Sequence, residues 1–157
     1  MVIALRDAQP FDAPVIARIY IESWNQGFGH LLGIRELTPE RIARWREDLT
    51  SDIMSWTVAE VDNVIVGFAG VGPSRDPVDL ALGELDTIAV DPAHWREGVG
   101  RALMDAALDA LRCAWSQAIL WTPANYDRGH AFYRATGWVP LGRARASGRE
   151  VAFGRDL

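Results

Sequence analysis

The sequence predicts a single α/β domain: a mixed β-sheet with helices packed on it, in the order β α α β β β α β α β β. Three observations lead there. The hydrophobic period switches between helical spacing and strict alternation along the chain. A run of hairpin-like strands is followed by a strand–helix–strand unit, which points to a mixed sheet. At 157 residues, with no repeat, low-complexity tract or linker, one domain spans residues 1–157.

The elements follow in order. Val2–Arg6 alternates as a strand. Asp12 is a cap and Pro14 a first-turn residue for a helix with Val15, Ile16, Ile19 and Tyr20 on its apolar side, ending near Trp24 before the glycines of NQGFGHLLG. Thr38-Pro39 opens a second helix whose buried stripe is Ile42, Trp45 and Leu49. Trp56–Val61 and Val64–Val71 are strands joined by a tight turn at Asp62-Asn63. Gly72–Asp79 is expected as a loop, Leu82–Val90 as a strand, Val99–Ala114 as a long helix and Ala118–Trp121 as a buried strand. Tyr126–Thr136 is helical and stopped by Gly137. Trp138–Ala144 and Glu150–Phe153 form a final hairpin around Ser147-Gly148.

Composition narrows the function. The net charge is −5, and no basic stripe of the kind that binds nucleic acid is present; the clustered Arg143, Arg145, Arg149 and Arg155 suit a solvated hairpin face. No apolar run approaches membrane-spanning length, and MVIALRDAQP is charged too early for a signal peptide. The lone cysteine, Cys113, fits a reducing cytoplasm and is expected as a partly buried helix thiol. His30, His94 and His130 lack metal-ligand spacing, so no metal is expected. Seven tryptophans imply large aromatic surfaces in a core, a pocket or a subunit contact, and a homodimer is plausible.

The chemistry-bearing stretch is HWREGVGRALM, residues 94–104, between a strand and a helix. A helix start leaves backbone N–H groups without partners and carries partial positive charge, so it suits phosphate. Gly98 and Gly100 permit close approach, Val99, Arg101 and Ala102 add N–H groups, and Arg96 and Arg101 add charge at the rim. A dinucleotide fingerprint would need a third glycine where Leu103 stands, and a P-loop would need a lysine that is absent. Taken alone, two glycines are better read as a turn that only lets strand and helix pack.

LGELDTIAVDPAHWREGVGRALM resembles the acetyl-CoA-binding motif of the GNAT N-acetyltransferase superfamily, Gln/Arg-x-x-Gly-x-Gly/Ala after a strand ending Val-x-Pro. Gly98 and Gly100 match both glycines and Val90-Asp91-Pro92 the strand end; Trp95 departs, standing where the family prefers Gln or Arg. NYDRGHAFYRATGWVPLG resembles the later segment, through Asn125, Phe132-Tyr133 and Gly137-Trp138, with one extra residue between Asn125 and Tyr133. The resemblance covers nearly the whole chain and implies a mostly antiparallel sheet with helices on both faces. It implies acetyl-CoA as cosubstrate. Its pyrophosphate would sit on the Trp95–Ala102 turn, its pantetheine arm along Ile88 and Val90, and Asn125 and Tyr133 would contact it.

Acetyl transfer to an amine needs a base for the ammonium and an acid for the departing thiolate. Glu84 matches a glutamate used as base in some family members; on a pleated strand it shares a face with Asp86, the fallback, and a water relay is a further alternative. Tyr133 matches the family tyrosine, which serves as acid; an unperturbed phenol has a pKa of ~10 and stays protonated at neutral pH. Family members shape the acceptor pocket with the first two helices and their connection. Glu22, Trp24, Phe28 and His30 are the candidates there, with Asp86 beside them, though each has an ordinary structural role as its alternative. The implied acceptor is a small-molecule amine, with a protein N-terminus or lysine as the rival and a non-catalytic acyl-CoA-binding module as the rival of another class.

Overall fold

A computed structural model describes every residue except Asp76. The strands are β1 (Ala4–Asp7), β2 (Ser55–Val61), β3 (Val64–Arg75), β4 (Val78–Val90), β5 (Gln117–Pro123), β6 (Val139–Arg145) and β7 (Glu150–Asp156). The helices are α1 (Ala13–Leu32), α2 (Pro39–Thr50), α3 (Val99–Arg112) and α4 (Asp127–Ala135). They follow the predicted order. The strands form one sheet, β1-β2-β3-β4-β5-β7-β6, in which every neighbouring pair is antiparallel except β4 and β5.

The sheet is covered on both faces. Ile16 and Ile19 of α1, with Trp45 and Leu49 of α2, pack on Trp56, Val58 and Phe68. Val99 and Leu103 of α3 pack on Ala59, Val61, Val66 and Ala69. Met104, Leu108 and Leu111 of α3 join Leu85, Leu120, Phe153 and the fully buried Trp138 in a third cluster, against which Phe132 and Tyr133 of α4 rest. Large apolar groups thus tie α3 to both β4 and β5 and fix where its N-terminus points. Gly70 is required by close approach: a Cβ there would lie 2.2 Å from the Trp56 ring.

Local chemistry explains most boundaries. Thr38 caps α2, its Oγ1 accepting from Arg41 N at 3.3 Å, with Pro39 at the first helical position. Asp62 and Asn63 both take positive φ, so the β2–β3 hairpin turns without glycine. Gly137, at φ 92°, ends α4, and Trp138 N donates back to Tyr133 O.

Four expectations are corrected. Asp12 precedes α1 but does not cap it; its carboxylate is taken by the Arg6 guanidinium, at 2.8 and 3.0 Å, and by Gln9 N. α1 does not end near Trp24 but runs on to Leu32, with Gly33 at φ 89° beyond it. Gly27 and Gly29 lie inside it at an intrinsic cost of about 1 kcal/mol each. Gly29 leaves room for Ile34, whose Cδ1 would lie 2.5 Å from a Cβ there, whereas a Cβ on Gly27 would meet Tyr126 at an ordinary 3.4 Å. The expected loop at Gly72–Asp79 is largely strand: β3 continues through Arg75 and β4 begins at Val78, while Asp76 lies outside the described residues. Cys113 is exposed rather than partly buried, because it falls just past the last turn of α3.

Candidate active site

β4 and β5 are partners at only two register positions, Gly83–Ala118 and Glu84–Ile119. Beyond these, β4 runs to Val90 and β5 to Pro123, and among the described residues no further pair joins them. A strand edge without a neighbour presents N–H and C=O groups in search of partners. Here two such edges face a cavity of about 820 Å³, lined by 84–90 of β4 and 120–123 of β5. A β-bulge contributes to the opening: β4 places one extra residue, Asp86, opposite the Gly70–Val71 step of β3.

The turn after β4 closes one part of this cavity. Asp91 Oδ1 accepts from Ala93 N, Arg96 takes φ 65°, and Gly98 takes φ 88° as the cap of α3. The first intrahelical bond runs from Ala102 N to Gly98 O. The N–H groups of Val99, Gly100 and Arg101 therefore have no partner within the helix. Ala102 N–H, expected to join them, is already committed. The Val99 side chain is buried in the core, so Val99 offers only its backbone. A Cβ on Gly100 would meet Phe132 at an ordinary 3.6 Å, so packing does not demand this glycine, and it leaves space at the helix start.

Trp95 behaves unlike the polar residue it replaces. Its indole N–H donates to Val90 O at 2.8 Å, tying the turn to the end of β4 and occupying part of one predicted pantetheine contact. Its ring carries the Arg128 guanidinium 3.7 Å above it. Arg128 lies in the first turn of α4, so a cation stands beside the glycine turn, supplied from a different element. Ile88, Arg96 and Arg101 also line the cavity. Asn125 does not: it is exposed in the turn after β5, and Tyr126 lines the cavity instead.

Glu84 is 7% exposed and lines the same cavity. Burial pushes its carboxyl above the usual range. A hydrogen bond from Arg75 N, at 3.3 Å to Oε1, acts the other way, and the nearby Asp86 adds to the rise. Asp86 also lines the cavity but is engaged, accepting from the Arg75 guanidinium and the Thr87 hydroxyl. Tyr133 reaches the cavity from α4, and loss of hydration pushes its phenol up to about 12. The neighbouring Thr122 pulls slightly downward, yet Thr122 Oγ1 is buried without closing a hydrogen bond.

On the α1 side, Trp24 and Phe28 line the cavity as expected, the latter ring-to-ring with Tyr126 at 4.4 Å. Glu22 does not; it is exposed and paired with Arg18 one turn earlier. His30 is exposed and outside the cavity. Sequence reasoning missed Tyr20, Arg35 and Arg128 as lining residues, named Tyr126 only as a substitute for Tyr133, and set aside Arg145 and Arg149 as a solvated face; all of these line the cavity. Among the described residues there is no cluster of His, Cys, Asp or Glu that could hold a metal ion, and no helix long and apolar enough to cross a membrane.

The split sheet and glycine turn define a class. The profile of the acetyltransferase (GNAT) family matches residues 15–138, and the chain belongs to that family. Among particular relatives, it is 45% identical over 80 residues to the mycothiol acetyltransferase of Clavibacter sepedonicus, covering 47% of this chain and 25% of that one. It spans about a quarter of the length of the mycothiol acetyltransferases it matches. It is 27% identical over 124 residues to the phosphinothricin N-acetyltransferase of Streptomyces viridochromogenes, covering 76% of this chain and 67% of that one. The fold is shared with the PaiA N-acetyltransferase of Thermoplasma acidophilum in complex with coenzyme A, with a TM-score of 0.77 at 16% identity over the whole of both chains.

Proposed function

We propose that this protein transfers the acetyl group of acetyl-CoA to a primary amine on a small molecule, with Glu84 as base and Tyr133 as acid. The observation that carries the reading is the parted β4–β5 edge leading to three partnerless N–H groups at the start of α3. That geometry suits an extended amide-bearing arm ending in a pyrophosphate. The relation to a Thermoplasma protein in complex with coenzyme A supports the same cosubstrate.

Bound acetyl-CoA supplies a thioester whose carbonyl carbon the amine nitrogen attacks; the C–N bond forms as the C–S bond breaks. This chain's residues manage the protons. Glu84, raised by burial, accepts one from the incoming ammonium, directly or through a water. It is better placed than Asp86, whose carboxylate is held by Arg75 and Thr87. Tyr133 keeps its proton at neutral pH and donates it toward the departing sulfur. Val99, Gly100 and Arg101 N–H groups, with Arg128 over Trp95, hold the phosphates. The edges of Ile88 and Val90 align the arm.

A small acceptor is favoured by the aromatic wall of Trp24, Phe28 and Tyr126 around a cavity within the range of small-molecule sites. Calorimetric titration with acetyl-CoA, with ATP and NAD as controls, tests the cosubstrate, and CoA release on an amine panel tests transfer. Micromolar binding of acetyl-CoA alone is expected. No binding would reduce the glycine turn to a packing feature. Binding without turnover on any amine would favour a non-catalytic acyl-CoA-binding module.

A further inference from the structure

Arg35 lies between α1 and α2, and three side chains hold it in place through four contacts. Asn25 grips its backbone twice: Oδ1 accepts from Arg35 N at 2.7 Å, and Nδ2 donates to Arg35 O at 2.9 Å. The guanidinium lies 3.5 Å over the Trp24 ring, and its Nη1 donates to Tyr20 Oη at 3.3 Å. Trp24 itself is tied to the same segment through Nε1 to Gly33 O. Arg35 is half-buried and lines the cavity that holds Glu84.

No carboxylate answers this charge. Arg6, Arg18, Arg75, Arg112 and Arg145 each have an acidic partner, whereas among the described residues Arg35 has no ion pair. The acids of the cavity are otherwise occupied: Asp86 by Arg75, and Glu150 by Arg145. Glu84 is left to face an amine. Arg149 also lines the cavity but is exposed and donates to Ala146 O, so its guanidinium is not held in a comparable way. A guanidinium clamped by stacking and by its own backbone, with donors left over, is a preorganised receptor for a planar oxyanion.

We infer that the acceptor is an amine that also carries a carboxylate, an amino acid or a close relative, and that Arg35 binds that carboxylate while the amine approaches Glu84. This rests on the acetyl-transfer reading for the amine's role. The carboxylate recognition by itself does not need turnover to be observed.

The test uses matched probes, methionine and methioninamide, glutamate and its α-amide, on the full chain. Each is titrated by calorimetry, with and without CoA, and each is assayed for CoA release from acetyl-CoA. In the native protein the carboxylate member of a pair is expected to bind, and to show the higher kcat/KM, by roughly ten- to hundredfold. Arg35→Gln is expected to erase that preference by bringing the carboxylate member of each pair down to the level of its amide. Arg35→Lys is expected to restore part of it, since it keeps charge but loses the fork. Equal behaviour of the two members in the native protein would overturn the inference, as would a preference that survives Arg35→Gln. A loss of acetyl-CoA affinity in Arg35→Gln with the preference intact would also overturn it, placing Arg35 with the cofactor. Failure of the acetyl-transfer reading looks different: no acetyl-CoA binding by native protein, with the carboxylate titration still reporting on Arg35.

Discussion

The two sides of the cavity are built from different materials. The proposed cofactor side is mostly backbone: two strand edges that part after Glu84–Ile119 and three N–H groups at the start of α3. The proposed acceptor side is mostly side chain: Trp24, Phe28 and Arg35 around α1, Glu84 and Asp86 on β4, and Tyr126 at the head of α4. On the acetyl-transfer reading, a backbone cradle would work for any chain that can form the same turn and would tolerate Trp95 in place of a polar residue. A side-chain wall is rewritten by single substitutions, so on the same reading it would set specificity.

The largest expected effect breaks the cofactor side alone. Gly100→Glu puts a carboxylate where phosphate is expected. A like charge at that position should lower acetyl-CoA affinity roughly hundredfold or more. The fold should survive, because the first atom of the new side chain has ordinary van der Waals room beside Phe132. Calorimetry together with a thermal melt separates the two. An unchanged affinity would remove the glycine turn from the site.

Glu84→Gln tests the other side. Turnover should fall by roughly 10²–10⁴, with acetyl-CoA affinity unchanged. The pH profile carries the sign. Since burial raises the Glu84 pKa, its protonated, inactive form persists above the ordinary carboxylate range, and the native rate should climb as pH passes the raised value. That acidic limb should vanish in Glu84→Gln. If it persists unchanged, Asp86 or the amine itself sets it.

Tyr133→Phe should cost less, roughly tenfold in turnover, because a thiolate leaves more readily than most groups and needs only a hydrogen bond. With the phenol pushed up to about 12, no loss of rate from Tyr133 ionisation is expected through pH 9. A loss of CoA affinity with turnover intact would make Tyr133 a wall residue instead of an acid.

This division also explains what was legible. The turn into α3 at Gly98 could be read because such a turn needs glycine at a fixed place, and Thr38-Pro39 and Gly137 because caps are local. The extension of α1 through Gly27 and Gly29 could not, since glycines in that stretch read as a helix stop and their neighbours do not mark them as helix interior. Glu22 looked suited to the pocket by its chemistry, yet its direction on the helix hands it to Arg18. Arg35 sits in the connection between the first two helices, a stretch read as pocket-shaping, but the residue itself acquires meaning only through Asn25, Trp24 and Tyr20. Asn125 matched the family pattern, but the extra residue before Tyr133 accompanies its position in the turn, outside the cavity.

Arg128→Ala has the smallest expected effect and the sharpest sign. Arg128 is the second residue of α4, where a cation opposes the helix dipole at a cost of about 0.3–1 kcal/mol. Its stacking on Trp95 returns about 0.5–1 kcal/mol, so the two contributions nearly cancel in the free protein. A residue kept only for structure would therefore be a poor choice here. If Arg128 instead completes the phosphate site across the gap from α3, Arg128→Ala should leave the melting temperature level or slightly higher. Acetyl-CoA affinity should fall by roughly three- to tenfold, and more steeply at low salt. Stability and affinity moving in opposite directions cannot come from loosened packing. A parallel loss of both would assign Arg128 to holding α4, and would leave the cofactor side built from α3 and the strand edges without a cation from α4.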